Sequence, residues 1–445
     1  MKMLLIGNAT VLTFDEETPI INNGAVLIEG IKIKEIGETE VLLQKYPNAV
    51  FKNARNKVLM PGLINTHTHL YSTFARGMNS KTDIPPQNFI EILEKLWWRL
   101  DNTLNEDDIY YSALFAILEC IKNGVTTIFD HHASFNYIDG SLDIIAQAAM
   151  EAGIRANLCY EVSDRHGQTK SDASLKENER FIRKIQVSQN DKLGGMIGLH
   201  ASFTLEDRTL NKASELADEL HVPFHIHVAE GREDLQDSVK RGYMGVVDRL
   251  TKFKILRPHT LAAHGVHIKK EEIPMLKKSG AWVVHNPESN MGNAVGAAPI
   301  KDFFDHEILT GLGTDAYTHD MFESIKVANL LQKHQLGDPQ AGWNEVYNMA
   351  FNNNMQIVSN LLGVEIGKIK ENFRADLIIV DYIPPTPIEK DNVYSHILFG
   401  MNGGMVETVI IDGKIIMDDR EVTILDYERI HRRTREQARR FWERF

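Results

Sequence analysis

The sequence predicts an α/β protein: a (β/α)8 TIM-type barrel with a small β-sandwich domain formed by both chain ends. Three observations carry that reading. Through the middle of the chain, short apolar runs alternate with longer segments of helical period, as parallel strands joined by right-handed helical crossovers do. Eight such runs occur, and eight strands close a barrel. The two ends share a different style, in which strand-like alternation is broken by tight turns.

In chain order, residues 1–57 open with MLLIGNATVLTF and GAVLIEGIKIKEIG, with a turn at Glu29-Gly30. Residues 368–425 repeat the plan in ADLIIVDY and VETVIIDGKIIMDD, with a turn at Asp412-Gly413, so the chain is expected to leave a small sheet domain and return to it. The barrel is expected over 58–367. Its runs are VLMPGLINTHTH, VTTIFDHH, IRANLCYEV, GMIGLHASF, PFHIHVAE, TLAAHGV, AWVVHNP and ILTGLGTDA. Between them, EDDIYYSALFAILECIKNG and SLDIIAQAAMEAG carry apolar residues at three and four spacing and end in Gly, as amphipathic helices do. An insertion from Asn79 to Thr103 follows the first run; its Trp97-Trp98 pair suits either a cap over a site or a core. Residues 426–445 read as a C-terminal helix that docks Ile430, Thr434, Ala438, Phe441 and Phe445 and turns its arginines outward.

A formal charge of -12 argues against partnership with nucleic acid or an anionic membrane, because the long-range field repels phosphates. No stretch reaches the roughly 18 apolar residues of a membrane span, and the first residues lack a signal-peptide pattern. Cys120 and Cys159 are far apart in apolar surroundings, which fits buried packing in a reducing cytoplasm better than a disulfide or thiolate site. The expected partner is a small-molecule substrate. A homodimer or higher homo-oligomer is compatible with all of this.

A parallel barrel gathers the carboxyl ends of its strands at one mouth, where enzymes of this architecture place their chemistry. The runs end in His67 and His69, then Asp130, His131 and His132, then His200, then His225, His227 and Glu230, then His264, His285 and Asp315. Scattered surface histidines would not choose that position so often. The rule sets aside His166, His221, His259, His306, His334, His396 and His431, which fall in helices, loops or the small domain. His67 and His69 are two apart, so both rings point to one side of the strand's end. Three protein ligands and an open place describe catalytic zinc, with imidazole and carboxylate as donors, and the same donors suit iron or manganese. A set drawn from runs one, five and eight is geometrically reasonable, since the eighth strand closes beside the first.

At this point the chain resembles the amidohydrolase superfamily, in its metal-dependent aminohydrolase branch of cytosine-, guanine- and adenosine-type deaminases and s-triazine hydrolases. It is also similar to aminohydrolases associated with selenium and purine metabolism. The matching pieces are PGLINTHTH, HIHVAEG, AAHGVH, HNPESNM, GLGTDA, FRADLIIVDY and VIIDGK, in that order. The resemblance implies His67, His69, His227 and Asp315 as ligands of one divalent metal ion, zinc before iron or manganese. It implies Glu230 as the proton shuttle, His264 as the holder of the attacking water, Asp315 as the acceptor of that water's proton, and His200 as a substrate contact. His225 is expected to be a packed barrel residue, and His285 to belong to a structural loop.

The implied activity is hydrolytic deamination of an aminated N-heterocycle, such as a purine, pyrimidine or triazine-like ring. A hydrolytic dehalogenase or cyclic amide hydrolase is the alternative, and a barrel that serves only as a scaffold is a third reading. The third and fourth runs end in Tyr160, Glu161 and His200, with no lysine to bridge two metals, which favours a single ion. His200-Ala-Ser-Phe stands where relatives that deaminate guanine carry an Arg-Phe pair. Arg165, just past the third run, is either a bidentate contact for a carboxylate or carbonyl, or a loop arginine in water.

Overall fold

A computed structural model of the chain describes residues 3–78, 84–188 and 190–445, so the first five residues of the 79–103 insertion lie outside the described residues. All eight expected runs contain a barrel strand: Leu63–Thr68, Val125–His132, Arg155–Val162, Ile197–Ala201, Phe224–Val228, Leu261–His264, Trp282–His285 and Thr310–Leu312. Neighbours pair in parallel from the first strand to the eighth. The ring closes at its carboxyl end, where the carbonyl of His67 accepts from the backbone N–H groups of Thr314 and Asp315, each at 3.0 Å. A short extra strand, Leu193–Gly195, lies against the third.

The boundary expected at residue 58 needs correction. Val58–Pro61 pairs with Thr10–Val11 and with Leu377–Val380, so it belongs to the other sheet, and the first barrel strand starts at Leu63. The break has a steric cause: at Gly62 the chain crosses from one sheet to the other so close to Thr126 that a Cβ would lie 2.3 Å from that residue's Cγ2.

The second sheet takes strands from both ends of the chain in one hydrogen-bonded path, from Glu421–Val422 through Leu377–Val380, Val58–Pro61 and Met3–Leu12 to Lys32–Glu38. It folds over until Ile33 N–H reaches the carbonyl of Phe373 at 2.9 Å, so both layers of the expected sandwich come from a single sheet. Between the layers sit Ile6, Val11, Val26, Ile28, Leu59, Leu377, Ile379 and Ile410, all buried; burying each such side chain contributes about 1.5–3 kcal/mol. The two expected turns meet. Gly30 and Gly413 both have positive φ, and a Cβ on Gly413 would lie 2.2 Å from the Gly30 carbonyl oxygen.

Helices take the places between strands. Glu106–Lys122 starts in a reciprocal cap between Asn105 and Asp108, and Ser141–Ala152 stops at Gly153 with φ 74°. The final helix, Tyr427–Arg444, buries Ile430, Thr434, Gln437 and Phe441, with Ala438 partly covered and Phe445 buried behind them. Gln437 anchors it to the first of these helices by donating to Asp108 Oδ1 at 2.7 Å. Cys120 and Cys159 are buried and unpaired, as expected. Among the described residues no helix is long and apolar enough to cross a membrane.

On the floor of the barrel, Arg155 at the start of the third strand is fully buried and joins the two sheets. It binds Asp376 and, at 2.8 Å, Asp412, both carried by the second sheet.

Candidate active site at the barrel mouth

The strand ends deliver the expected side chains to one buried space. His67, His69, His227, His264 and Asp315 are all buried. His264 and Asp315 hold left-handed backbone, with φ of 76° and 54°. Such strain in non-glycine residues collects where a side chain must be aimed. Here the closing bonds to the His67 carbonyl fix Asp315 in that pose.

Hydrogen bonds behind the rings fix their tautomers. His69 Nδ1 donates to the carbonyl of His131 at 2.6 Å, and His227 Nδ1 to that of His200 at 2.8 Å. A carbonyl only accepts, so in each neutral ring Nε2 is a bare lone pair. Those two Nε2 atoms stand 3.2 Å apart. His67 turns Nδ1 toward His225 Nε2 at 2.8 Å, and His264 turns Nδ1 toward Asn290 Oδ1 at 2.8 Å; each leaves a buried Nε2 without a hydrogen-bond partner. Lone pairs so close together repel unless a cation sits among them. Three sets drawn from these groups, His67–His227–His264, His67–His69–Asp315 and Glu230–His264–Asp315, bring their ligand atoms within 4.8 Å of one another. The donor set therefore fits a divalent ion.

Two carboxylates in this space are driven in opposite directions. Burial disfavours ionising Asp315, but the hydrogen bond and charge of His69, 3.2 Å away, hold it well below the usual carboxylate range. Burial disfavours charge on His69 too, and Asp315 outweighs it, pushing the imidazole up to about 9, so its Nε2 gives up a proton when a cation takes that lone pair. Burial and the Asp315 charge push Glu230 up to about 7. A pair split in this way supplies a base and an acid at neutral pH. His264 Nε2 lies between them, 3.5 Å from Glu230 and 3.7 Å from Asp315.

His200 lines the pocket over this space, with Nδ1 tied to Thr204 Oγ1 at 2.7 Å; Trp97, Trp98, Asp101 and Glu161 line it as well. The tryptophans of the insertion thus face the site. His285 is buried away from the pocket, and neither of its ring nitrogens has a partner. His225 is more than packing, because it backs His67 from below. Arg165 meets neither expectation: its side chain is buried, bonded to Glu161 at 2.8 Å and to Asp101, and stacked 4.4 Å from the Phe135 ring centre. Two buried carboxylates hold it in the wall and out of water. Asn290 and Asn293 had no expected role; Asn293 donates to Glu230 Oε1 at 3.1 Å. Both lie in the HNPESNMGN stretch, whose asparagines were the available signal.

Residues 58–416 match the amidohydrolase family. The chain is 35% identical over 435 residues to a 5'-deoxyadenosine deaminase of Methanosarcina acetivorans, covering 97% of this chain and 96% of the relative. It is 32% identical over 432 residues to a 5-methylthioadenosine/S-adenosylhomocysteine deaminase of Carboxydothermus hydrogenoformans, covering 96% and 95%. In fold it matches an adenosine deaminase from Xanthomonas campestris, solved with bound zinc, at a TM-score of 0.84 and 23% identity over 98% of both chains. On its sequence match and on its relatives, the chain belongs to the amidohydrolase family.

Proposed function

We propose that this protein is a metal-dependent aminohydrolase that exchanges the amino group of an aminated purine for a carbonyl oxygen, with 5'-modified adenosines as the preferred substrates. The carrying observation is the nest of imidazole lone pairs at the mouth, flanked by one carboxyl that ionises readily and one that stays protonated to about 7. The names of the relatives above support the substrate class. We assign His67, His69, His227 and Asp315 to one zinc ion; iron or manganese would suit the same donors. When bound, such an ion supplies Lewis acidity that brings the pKa of a water from about 16 to about 7.

The chain's own residues do the rest. Asp315 takes the water's proton, and His264, held by Asn290, orients the attacking oxygen. Glu230, steadied by Asn293, gives its proton to a ring nitrogen, which makes the amino-bearing carbon electrophilic. Water's oxygen adds there, Asp315 passes the proton it took to the amino group, which leaves as ammonia, and Glu230 recovers a proton from the added hydroxyl as the carbonyl forms. Each positioned proton transfer is worth about 10²- to 10⁴-fold. His200 faces the ring from the fourth strand.

The test is a screen of 5'-deoxyadenosine, 5'-methylthioadenosine, adenosine, guanine and aminated or chlorinated triazines, with ammonia and chloride both followed and His67→Ala as the blank. Ammonia release from the adenosines that the blank lacks is the expected result. Chloride release with no ammonia would replace this reading with dehalogenation.

A further inference from the structure

A separate cavity of about 290 Å³ lies where the loop that leaves strand Met3–Leu12 meets the helix Trp343–Tyr347 and the start of the helix Val393–Gly400. None of its lining residues lines the catalytic pocket. Its size is at the lower end of the roughly 300–1,000 Å³ that small-molecule sites occupy. Phe14, Trp343, Tyr347 and Tyr394 give it four aromatic rings. The Tyr394 ring stands at 72° to Trp343, with centres 4.8 Å apart, and at 74° to Tyr347, with centres 5.5 Å apart. Phe14 lies almost parallel to Tyr347, 6.4 Å away. The rings thus form the corner of a box.

Two local features show that the box is built. Phe14 holds left-handed backbone, φ 58°, the only phenylalanine, tyrosine or tryptophan among the described residues to do so. Thr13 pins it there: its N–H donates to the Pro19 carbonyl at 3.0 Å and its carbonyl accepts from the Ile369 N–H at 2.8 Å. Strain of that kind persists only where the surroundings impose it, and it aims a side chain. Tyr347 in turn runs into a π-helical turn, Asn348–Asn353, a widened geometry that is frequent at functional sites.

The rim is net negative. Asp15 is paired with Lys370 at 2.8 Å. Glu16 and Asp391 are exposed and have no ion-pair partner among the described residues, and a single unpaired cation, Lys390, stands beside them. Burial, and then the Glu16 charge, raise the Tyr347 phenol, so that carboxylate is felt at the aromatic wall. Ring faces carry the negative part of the aromatic quadrupole, and this cluster already draws one ammonium, Lys333 Nζ, to 5.8 Å from the Trp343 ring centre.

We propose that this cavity binds a small organic cation, a primary or quaternary ammonium, held by cation–π attraction to the rings and balanced by Glu16 and Asp391 at the rim. The site is separate from the metal-ligand cluster, so its occupancy does not depend on the deaminase reading.

The test is calorimetric titration of the zinc-loaded protein with choline, with butylammonium and with neohexyl alcohol, the uncharged carbon isostere of choline. The ammonium that binds more tightly identifies the head group, and we expect it to bind at least about tenfold more tightly than the isostere. Tyr347→Leu should weaken it at least about tenfold, and the double substitution Glu16→Gln with Asp391→Asn at least about threefold with the isostere unaffected. Both carboxylates lie on the surface, so the double variant decides if Tyr347→Leu does not fold. Equal affinity for ammonium and isostere, binding that the double substitution leaves in place, or no binding of either ammonium up to about 10 mM overturns the site.

Discussion

Arg155 and Arg165 stand at opposite ends of the third barrel strand, both buried and each between two carboxylates, yet their surroundings differ. On the floor, the partners of Arg155 are used up elsewhere too: Asp376 accepts from the backbone N–H of Asp412 at 2.8 Å, and Asp412 also meets Arg374 and Lys192, each at 3.2 Å. At the mouth, Asp101 keeps Oδ1 buried and unpartnered in the pocket wall. The same ion chemistry thus makes a staple where every acceptor is filled, and part of a working surface where one is left open. At the mouth end, His67 and His264 Nε2 and both nitrogens of His285 are buried without partners, while on the floor it is a donor, Arg155 Nε, that lacks one.

If that contrast is right, substitutions at the mouth change turnover and those on the floor change stability. Glu230→Gln should cost about 10²- to 10⁴-fold in ammonia release while the melting temperature holds or rises. Near-normal turnover would remove Glu230 from the chemistry. Arg155→Met leaves Asp376 buried without a cationic partner and should cost about 3–5 kcal/mol by denaturant titration, with turnover per folded molecule retained. An unmoved midpoint would end the description of the floor as a staple.

Glu288, in the short helix after the seventh strand, sharpens the contrast through pH. Burial pushes it up to about 7 from an ordinary value of 4.5, so the fold holds a proton that the unfolded chain releases. Its contribution is complete below about pH 4.5 and drains away as pH rises through 7. Glu288→Gln should therefore match the parent in melting near pH 4.5 and exceed it, by up to roughly 3 kcal/mol, at pH 8. A gap of one size at both pH values would contradict this. The smallest effect is expected from Asp101→Asn, which keeps the Arg165–Glu161 bond and should shift stability by less than about 1 kcal/mol while altering KM. The matching floor change, Asp412→Asn, should destabilise more.

The strands and the gathering of histidines at the mouth were legible because they obey periodicity: His67 and His69 share a strand face, and His227, His264 and Asp315 fall at run ends. What stayed hidden depends on contacts between distant segments. Arg165 looked like a loop residue because Asp101, its partner, lies 64 positions earlier in an insertion with no strand or barrel signal. The service of His225 to His67 spans 158 positions, and no spacing rule reaches so far. The division at Gly62 was missed because Pro61-Gly62 interrupts a run that is apolar on both sides, and hydropathy does not tell which sheet a strand joins.

The seam that closes the ring is also where the chemistry is assembled, for Thr68 Oγ1 meets the carbonyl of Asp315 across 247 positions of chain. During synthesis the first histidines emerge from the ribosome long before the aspartate that completes their set. A half-made polypeptide thus lacks the full donor set, and a divalent cation meets a finished cage only after the last staves of the cask are in place.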